Sequence, residues 1–369
     1  MHKFFTSSFD ASIYLQQPEQ NAGRDEILEV GKLYYGSNEV ASAMDIARTL
    51  IKFNTTQVSQ SIVENIGTGS YSVFLNLKSA NSEEIPLEYT LYANAVSGSW
   101  KMGTGTKFDN ITSDGVSWYY LNGSSKWQDI SGSYPTQTDT SSILNGGGGL
   151  WYSSSIASQS FSNEPDDIRM DVTNIVKLWI SGSNRLTNDG IILHHHTSAS
   201  LYTDTTDYGV LKFFSKETNT IYEPKLELVW DDSLFTTGSL TPVTGSASDD
   251  YKVVVTNLKN QYSKNTKVKI RVKGRDMFPY KTFGTTFGYD QAKFLPSGST
   301  YYQIEDYITN EIIVPFGDYS KLSCDSTSNY FNLDTSTYAA DRVYRLKIKI
   351  LQSGITDIID DKLTFKIIE

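Results

Sequence analysis

The chain has one cysteine and very little histidine. Cys324 stands alone among 369 residues, so no disulfide can form within the chain, and zinc sites built on two or more cysteines are excluded. The four histidines occupy positions 2, 194, 195 and 196, which leaves His-dependent catalysis the 194–196 cluster or nothing. No run of about 18 apolar residues is present, so no membrane-spanning helix and no membrane partner are expected. Cations are outnumbered, 32 Lys and Arg against 42 Asp and Glu for a net charge of −10, a balance that disfavours nucleic acid. The opening MHKFFTSSFDASIYLQQ has no apolar run of about 7–15 residues and no small-residue cleavage site, so no signal peptide is expected. Folding in the cytoplasm followed by later release suits such a chain.

Aromatics, by contrast, are plentiful: 24 Tyr, 17 Phe and 6 Trp make up 13% of the residues. With abundant Ser, Thr, Gly and Asn they point to an all-β fold. Length suggests two domains. Residues 231–250, DDSLFTTGSLTPVTGSASDD, show no sustained periodicity and read as a linker between domains at 1–230 and 251–369. Strands are expected at Ser72–Leu77, Leu87–Ala93, Lys225–Trp230, Lys252–Asn257, Lys267–Lys273 and Arg345–Leu351. In KVKIRVK, Val268, Ile270 and Val272 share one face and the cations the other. One or two short helices are expected. Asp45–Asn54 spaces Ile46, Leu50 and Phe53 helically, although its second half would also serve as a strand. Asp171–Ile180 places Val172, Ile175, Val176 and Trp179 on one stripe, with Asp171 as N-cap. Gly98–Gly149 reads as extended loops at one end of the first sandwich.

The first domain also carries an ordered series of blocks. An Asp-containing extended opening (FTSSFDASIYLQQPEQNAGRDEILEVG) is followed by ARTLIKFN, then by SVFLNL and LEYTLYA. Next comes a run punctuated by Trp100, Gly103, Gly105, Gly115, Val116, Ser117, Trp118 and Trp127. DIRMDVTNIVKLWISGSNRLTNDGIILHHH and KFFSKETNTIYEPKLELVW close the series. Over residues of about 9–230 it resembles the DNRLRE-type domains. That resemblance implies a β-jelly-roll sandwich, of a kind found on bacterial surface proteins, in polysaccharide-binding modules and in virion proteins of tailed bacteriophages. By the same resemblance Ser215–Lys216–Glu217 matches the family's Ser-Arg-Glu, with Glu217 expected to orient a backbone turn rather than to catalyse.

Few residues offer chemistry. If residues 191–196 form a strand, His194 and His196 share a face and are weak metal candidates, with Asp204 and Asp207 nearby in sequence. The bland alternative is a strand running into a Ser/Thr loop. Asp166, Asp167 and Asp171 are carboxylates a glycosidase would need across a cleft, yet Asp171 is better used as a cap. No G-x-S-x-G occurs, and the glycines of 145–149 lack the Lys-Ser/Thr of a phosphate loop. No enzyme activity, no cofactor and no native metal site are therefore expected. Trp118, Trp127 and Trp151 are either a sugar-stacking surface or plugs beneath long loops.

The second domain reads as an immunoglobulin-like sandwich, with strands at 251–257, 267–273, 300–305, 311–315, 343–351 and a terminal KLTFKII. Its segment DMFPYKTFGTTFGYDQAKFLPSG supplies candidate interface residues Met277, Phe278, Tyr280, Phe283, Phe287 and Tyr289. YYQIEDYITNEIIVPF resembles C-terminal domains of virion structural proteins in large tailed phages. The resulting expectation is a non-enzymatic virion structural protein of the neck, tail or baseplate, located in the particle and contacting other virion proteins or copies of itself. The alternative is a carbohydrate-binding surface or adhesin module with polysaccharide as partner.

Overall fold

A computed structural model of the chain describes residues 1–35, 44–83, 85–127, 147–162, 167–183, 185–195, 205–244, 250–278 and 292–369. They fall into two compact units, a larger one of residues 5–67 and 72–228 and a smaller one of residues 1–4, 68–71 and 229–369. The protein is mostly β with two short α-helices among the described residues.

The larger unit runs β1 (His2–Tyr14), β2 (Ile27–Tyr34), β3 (Met44–Phe53), α1 (Thr55–Asn65), β4 (Ser72–Leu77), β5 (Glu88–Ala95), β6 (Ala157–Ser162), β7 (Ile168–Asp171), α2 (Thr173–Ile180), β8 (Ile191–His194), β9 (Gly209–Phe214) and β10 (Lys225–Val229). They form one large, nearly closed antiparallel sheet in the order β6-β5-β8-β3-β1-β10-β4-β7, with β2 pairing β3 and β9. β1 lies between β3 and β10 in this order. Its later residues pair with β3, from Ser7↔Phe53 to Tyr14↔Ala47, and the register shifts between Ser7 and Phe9. Ser7 N meanwhile donates to Pro224 O beside β10. A long strand with an irregularity can serve two differently oriented neighbours in this way.

The segment expected as a helix at 45–54 is strand β3. Its apolar residues fall at helical spacing because a central strand is covered on both faces, which erases the two-residue alternation. β1 runs along one edge of β3, while β2 and β8 share the other, β2 pairing residues 44–47 and β8 residues 49–51. The helix starts immediately afterwards. Asn54 Oδ1 accepts Thr56 N at 3.1 Å as the N-cap of α1, and only Val58, Ser61 and Ile62 of that helix are buried. α2 starts two residues later than the sequence places it: Asp171, expected as the N-cap, ends β7 and Val172 is the cap residue, while Asp171 Oδ1 still accepts Thr173 N at 2.9 Å.

The smaller unit contains β11 (Tyr251–Val255), β12 (Gln261–Ser263), β13 (Lys267–Asp276), β14 (Thr300–Asp306), β15 (Ile312–Val314), β16 (Ser323–Cys324), β17 (Asn329–Asp334), β18 (Val343–Gln352) and β19 (Ile355–Ile368). Two sheets result, β11-β13-β17-β16 and β12-β19-β18-β14-β15, with β12 parallel to β19. Ile270, Val272, Tyr302, Ile304, Phe331, Leu346, Ile348 and Phe365 are buried in their shared core, where Tyr302 stacks on Phe331 with centroids 4.2 Å apart. Part of the stretch read as a linker is bonded to this unit. Thr236 N donates to Cys324 O and Val243 N to Phe294 O, both at 3.0 Å. Residues 245–249 lie outside the described residues.

Candidate functional site

The sequence blocks of the larger unit converge on a loop layer, residues 96–127, packed over the sheet. Asn21 is its hub. Its Nδ2 donates to Met102 O at 2.7 Å and to Val116 O at 2.8 Å, while its Oδ1 accepts Gly105 N at 2.8 Å. A Cβ on Gly103, at φ +79°, would come within 2.3 Å of Asn21 Oδ1. The glycine spacing of this block therefore follows from one buried amide that leaves no room for side chains beside it. Trp100 Nε1 donates to Asp189 O at 2.6 Å and Trp127 Nε1 to Ser117 O at 3.0 Å, so both rings bury with their polar ends satisfied.

Arg48 of β3 is almost fully buried and lies between two tryptophans, 5.2 Å from the Trp118 ring and 5.0 Å from that of Trp151. Its Nη1 donates to Gly148 O. Gly148, at φ +94°, runs so close to this cluster that a Cβ would meet Arg48 Nη1 and the Trp118 ring at 2.7 Å. The described glycines at 147–149 are thus a packing device. Trp118, Trp127 and Trp151 are 0%, 3% and 2% exposed and share a core cluster with Ala11, Ile13, Leu50 and Ile192. They present no open face to a sugar, so the stacking-surface expectation is corrected: the polar loops around these rings close over them.

The remaining chemistry candidates are also engaged. His194 is buried, stacked on Trp151 at 4.2 Å, and its Nε2 bonds Asn94 Oδ1 at 3.0 Å. The β8 strand ends at His194, and His196 and Asp204 lie outside the described residues. Asp207 accepts Tyr34 N. Among the described residues no group of three or more His, Cys, Asp or Glu is placed to hold a metal ion. Asp167 pairs with Lys78 Nζ and accepts Ser79 N, both at 2.9 Å; Asp166 falls outside the described residues. Glu217 pairs with Arg24 at 3.3 Å, and Ser215 Oγ donates to Asp25 O at 2.6 Å and accepts Glu217 N at 3.0 Å. Asp10, 1% exposed, accepts Lys216 N at 2.8 Å and Ser7 Oγ at 3.2 Å. Burial outweighs those bonds and pushes its carboxyl up to about 6.

In the smaller unit, Met277 is half-buried and Phe278 is 88% exposed, while Tyr280, Phe283, Phe287 and Tyr289 lie outside the described residues. A surface the sequence does not single out stands at the β14–β15 turn, where Tyr307, Ile308 and Ile312 are exposed. The turn is held from below. Asp306 Oδ1 accepts Ile308 N at 2.9 Å and Thr309 N at 3.0 Å, and Arg342 Nε donates to Asp306 Oδ2 at 2.7 Å. Burial alone would raise this carboxyl; the bonds from Thr309, Arg342 and Ile308 outweigh it and hold it below the usual carboxylate range.

No protein-family model and no curated protein matches the chain. Weak likenesses to solved structures exist. A DUF4785 family protein from Legionella pneumophila subsp. pneumophila str. Philadelphia 1 is 7% identical, over 100% of this chain and 65% of that one, with a TM-score of 0.19. The β-glucuronidase of Parabacteroides merdae is 8% identical over 99% and 35%, with a TM-score of 0.19. The adhesin domain of Epf from Streptococcus pyogenes is 8% identical over 97% and 91%, with a TM-score of 0.16. The chain spans less than two thirds of the first two proteins. At these scores the likenesses carry no argument about function.

Proposed function

We propose that the chain is a non-enzymatic structural subunit of a tailed-bacteriophage virion, in its neck, tail or baseplate, acting through contacts with other virion proteins or further copies of itself. In this reading the larger unit is a DNRLRE-like jelly roll and the smaller an immunoglobulin-like sandwich. The convergence of the sequence blocks on Asn21, Arg48 and Ser215 supports the first assignment. Strand order supports the second: β11-β13-β17-β16 follows the A-B-E-D sheet, and β19-β18-β14-β15 follows G-F-C-C′. Tyr344, at the start of the F-like strand β18, donates its hydroxyl to Ala339 O at 3.1 Å, as the tyrosine corner of such domains does.

The observation that carries the assembly role is the preordered apolar turn at 306–311. Tyr307 and Ile308 are exposed on a turn already fixed by Asp306 and Arg342, and it adjoins β15, the edge of the five-stranded sheet. A fixed apolar surface beside a strand that is a sheet edge among the described residues loses little entropy on docking. Sheet edges and exposed aromatics such as Phe278 serve contact rather than catalysis. Immunogold labelling of gradient-purified particles from the natural source tests the reading. Labelled particles, with label lost in a Tyr307→Asp/Ile308→Asp variant that still folds, would support it. A chain found only as free monomer, or retained as a monomer on a polysaccharide gel, would overturn it in favour of the surface module.

A further inference from the structure

Charge is divided unevenly along the chain, and each excess is presented on a fixed surface. Residues 1–230 carry 15 Lys and Arg against 25 Asp and Glu, whereas residues 251–369 carry 17 against 13. In the smaller unit the cations gather on the outer face of β13 and its neighbour β11. Lys269, Arg271, Lys273 and Arg275 alternate with the buried Ile270, Val272 and Gly274, and Lys252 and Val254 of β11 share their face. Asp325 pairs with Lys269 at 3.5 Å and with Arg271 at 3.0 Å. Lys252 stands directly opposite Arg275 across the ladder, a like-charge pair of the kind that weakens a sheet. An anionic partner on this face offsets that cost.

In the larger unit the loop at 106–114 carries the complementary groups. Phe108 and Ile111 are 87% and 73% exposed, and Asp109 and Asp114 of the same loop are exposed as well. The loop is held from within. Lys107 N donates to both carboxylate oxygens of Asp25, at 3.1 and 3.2 Å, and Asn21 N donates to Thr112 O at 3.0 Å. Asp109 Oδ2 accepts Thr106 Oγ1 at 2.7 Å. Asp114 accepts Thr104 N at 3.0 Å and Thr104 Oγ1 at 2.7 Å, and these bonds hold its carboxyl below the usual carboxylate range. Lys107, the cation of the loop, is paired with Glu29 at 2.6 Å. What the loop presents outward is apolar and anionic, and it is already ordered, so docking costs it little entropy.

We propose that the 106–114 loop of one copy docks on the β11–β13 face of a second copy, head to tail. Asp109 and Asp114 meet the cations, while Phe108 and Ile111 lie against Val254 and the aliphatic stems of the flanking lysines. Such a contact is heterologous, so it adds copies in one direction. It rests on the subunit reading and names the partner, through surfaces distinct from the 306–311 turn. Sedimentation velocity on the purified full chain tests it. Mass should rise with protein concentration at low salt and fall back toward one chain at about 0.5 M NaCl, which screens the charges. Lys252→Glu/Lys273→Glu and, separately, Phe108→Lys/Ile111→Lys should each weaken association about tenfold or more. Each variant keeps the surface that the other has lost, so an equimolar mixture should form dimers and nothing larger. If Phe108→Lys/Ile111→Lys fails to fold, Phe108→Ser/Ile111→Ser takes its place. The proposal is overturned by a wild type that stays monomeric at low salt, by unchanged association in either folded variant, or by a mixture that stays monomeric. A monomeric wild type retained on heparin assigns the basic face to a polyanion and overturns it too. Immunogold-labelled particles together with a monomeric purified chain would overturn this contact alone and leave the subunit reading standing; association without labelled particles would overturn the subunit reading alone.

Discussion

Substituting Asp10 tests how far burial governs the sheet's polar interior. Asp10 is 1% exposed on β1, and burial pushes its carboxyl from 3.8 up to about 6 against the bonds from Lys216 N and Ser7. An acid whose value is raised on folding binds its proton more tightly in the folded state. Between about pH 4 and pH 6 the folded chain therefore keeps a proton that the unfolded chain has released, and stability falls as pH rises through that window. The change from 3.8 to about 6 corresponds to about 3 kcal/mol, fully felt above about pH 6. Asp10→Asn keeps the carbonyl oxygen that Lys216 N needs and removes the charge. The variant should thus gain on the wild type by up to about 3 kcal/mol between pH 4 and pH 7. Urea unfolding followed by Trp fluorescence suits the measurement, because Trp100, Trp118, Trp127, Trp151 and Trp179 all lie in the larger unit. Asp25, Asp45 and Asp189 are also raised by burial, and subtracting the two curves cancels them. A constant offset between the variants reflects altered bonding alone. A difference that does not change with pH over that window refutes the reasoning.

Two further outcomes follow from the packing. Asn21→Ala strands the carbonyls of Met102 and Val116 and the N–H of Gly105, and should cost about 3 kcal/mol or more in the same unfolding assay; a loss below about 1 kcal/mol would remove Asn21 as the hub. Cys324 is buried, and burial with the neighbouring Asp325 pushes its thiol up to about 11. Ellman's reagent should therefore react slowly with the native chain at pH 8 and promptly in urea, and prompt native reaction contradicts the burial.

What can be read from the sequence depends on whether an element has one wet face. β13 and β4 alternate cleanly because one side of each is core, and pattern alone places both. β3, buried on both faces, loses that alternation and looks helical, while α1 hides behind a polar sequence in which Val58 and Ile62 are its buried apolar residues. Tryptophans pose a different difficulty. Residue type shows that Trp118 and Trp151 are large and amphipathic, but not that Arg48, at least 70 positions earlier, slides between them.

The sequence blocks of the larger unit are consumed by its architecture, which limits what a resemblance resting on them can say about function. Gly103 and Gly105 are glycine because Asn21 occupies the space where a Cβ would stand. Gly148 is glycine because Arg48 and Trp118 leave it no room. Ser215 ties Asp25 O to Glu217 N, and Asp10 receives Lys216 N. Altering Gly103, Gly105, Gly148 or Ser215 disturbs the fold before it could disturb a binding event, so a chain sharing these residues shares a scaffold and nothing more specific. Function has to rest on positions that packing leaves free, such as the exposed Tyr307–Ile308 turn and Phe278. Two scaffolds with the same blocks could differ entirely there without cost to their cores. Substitutions at those surfaces, rather than in the blocks, are therefore where assembly separates from stability.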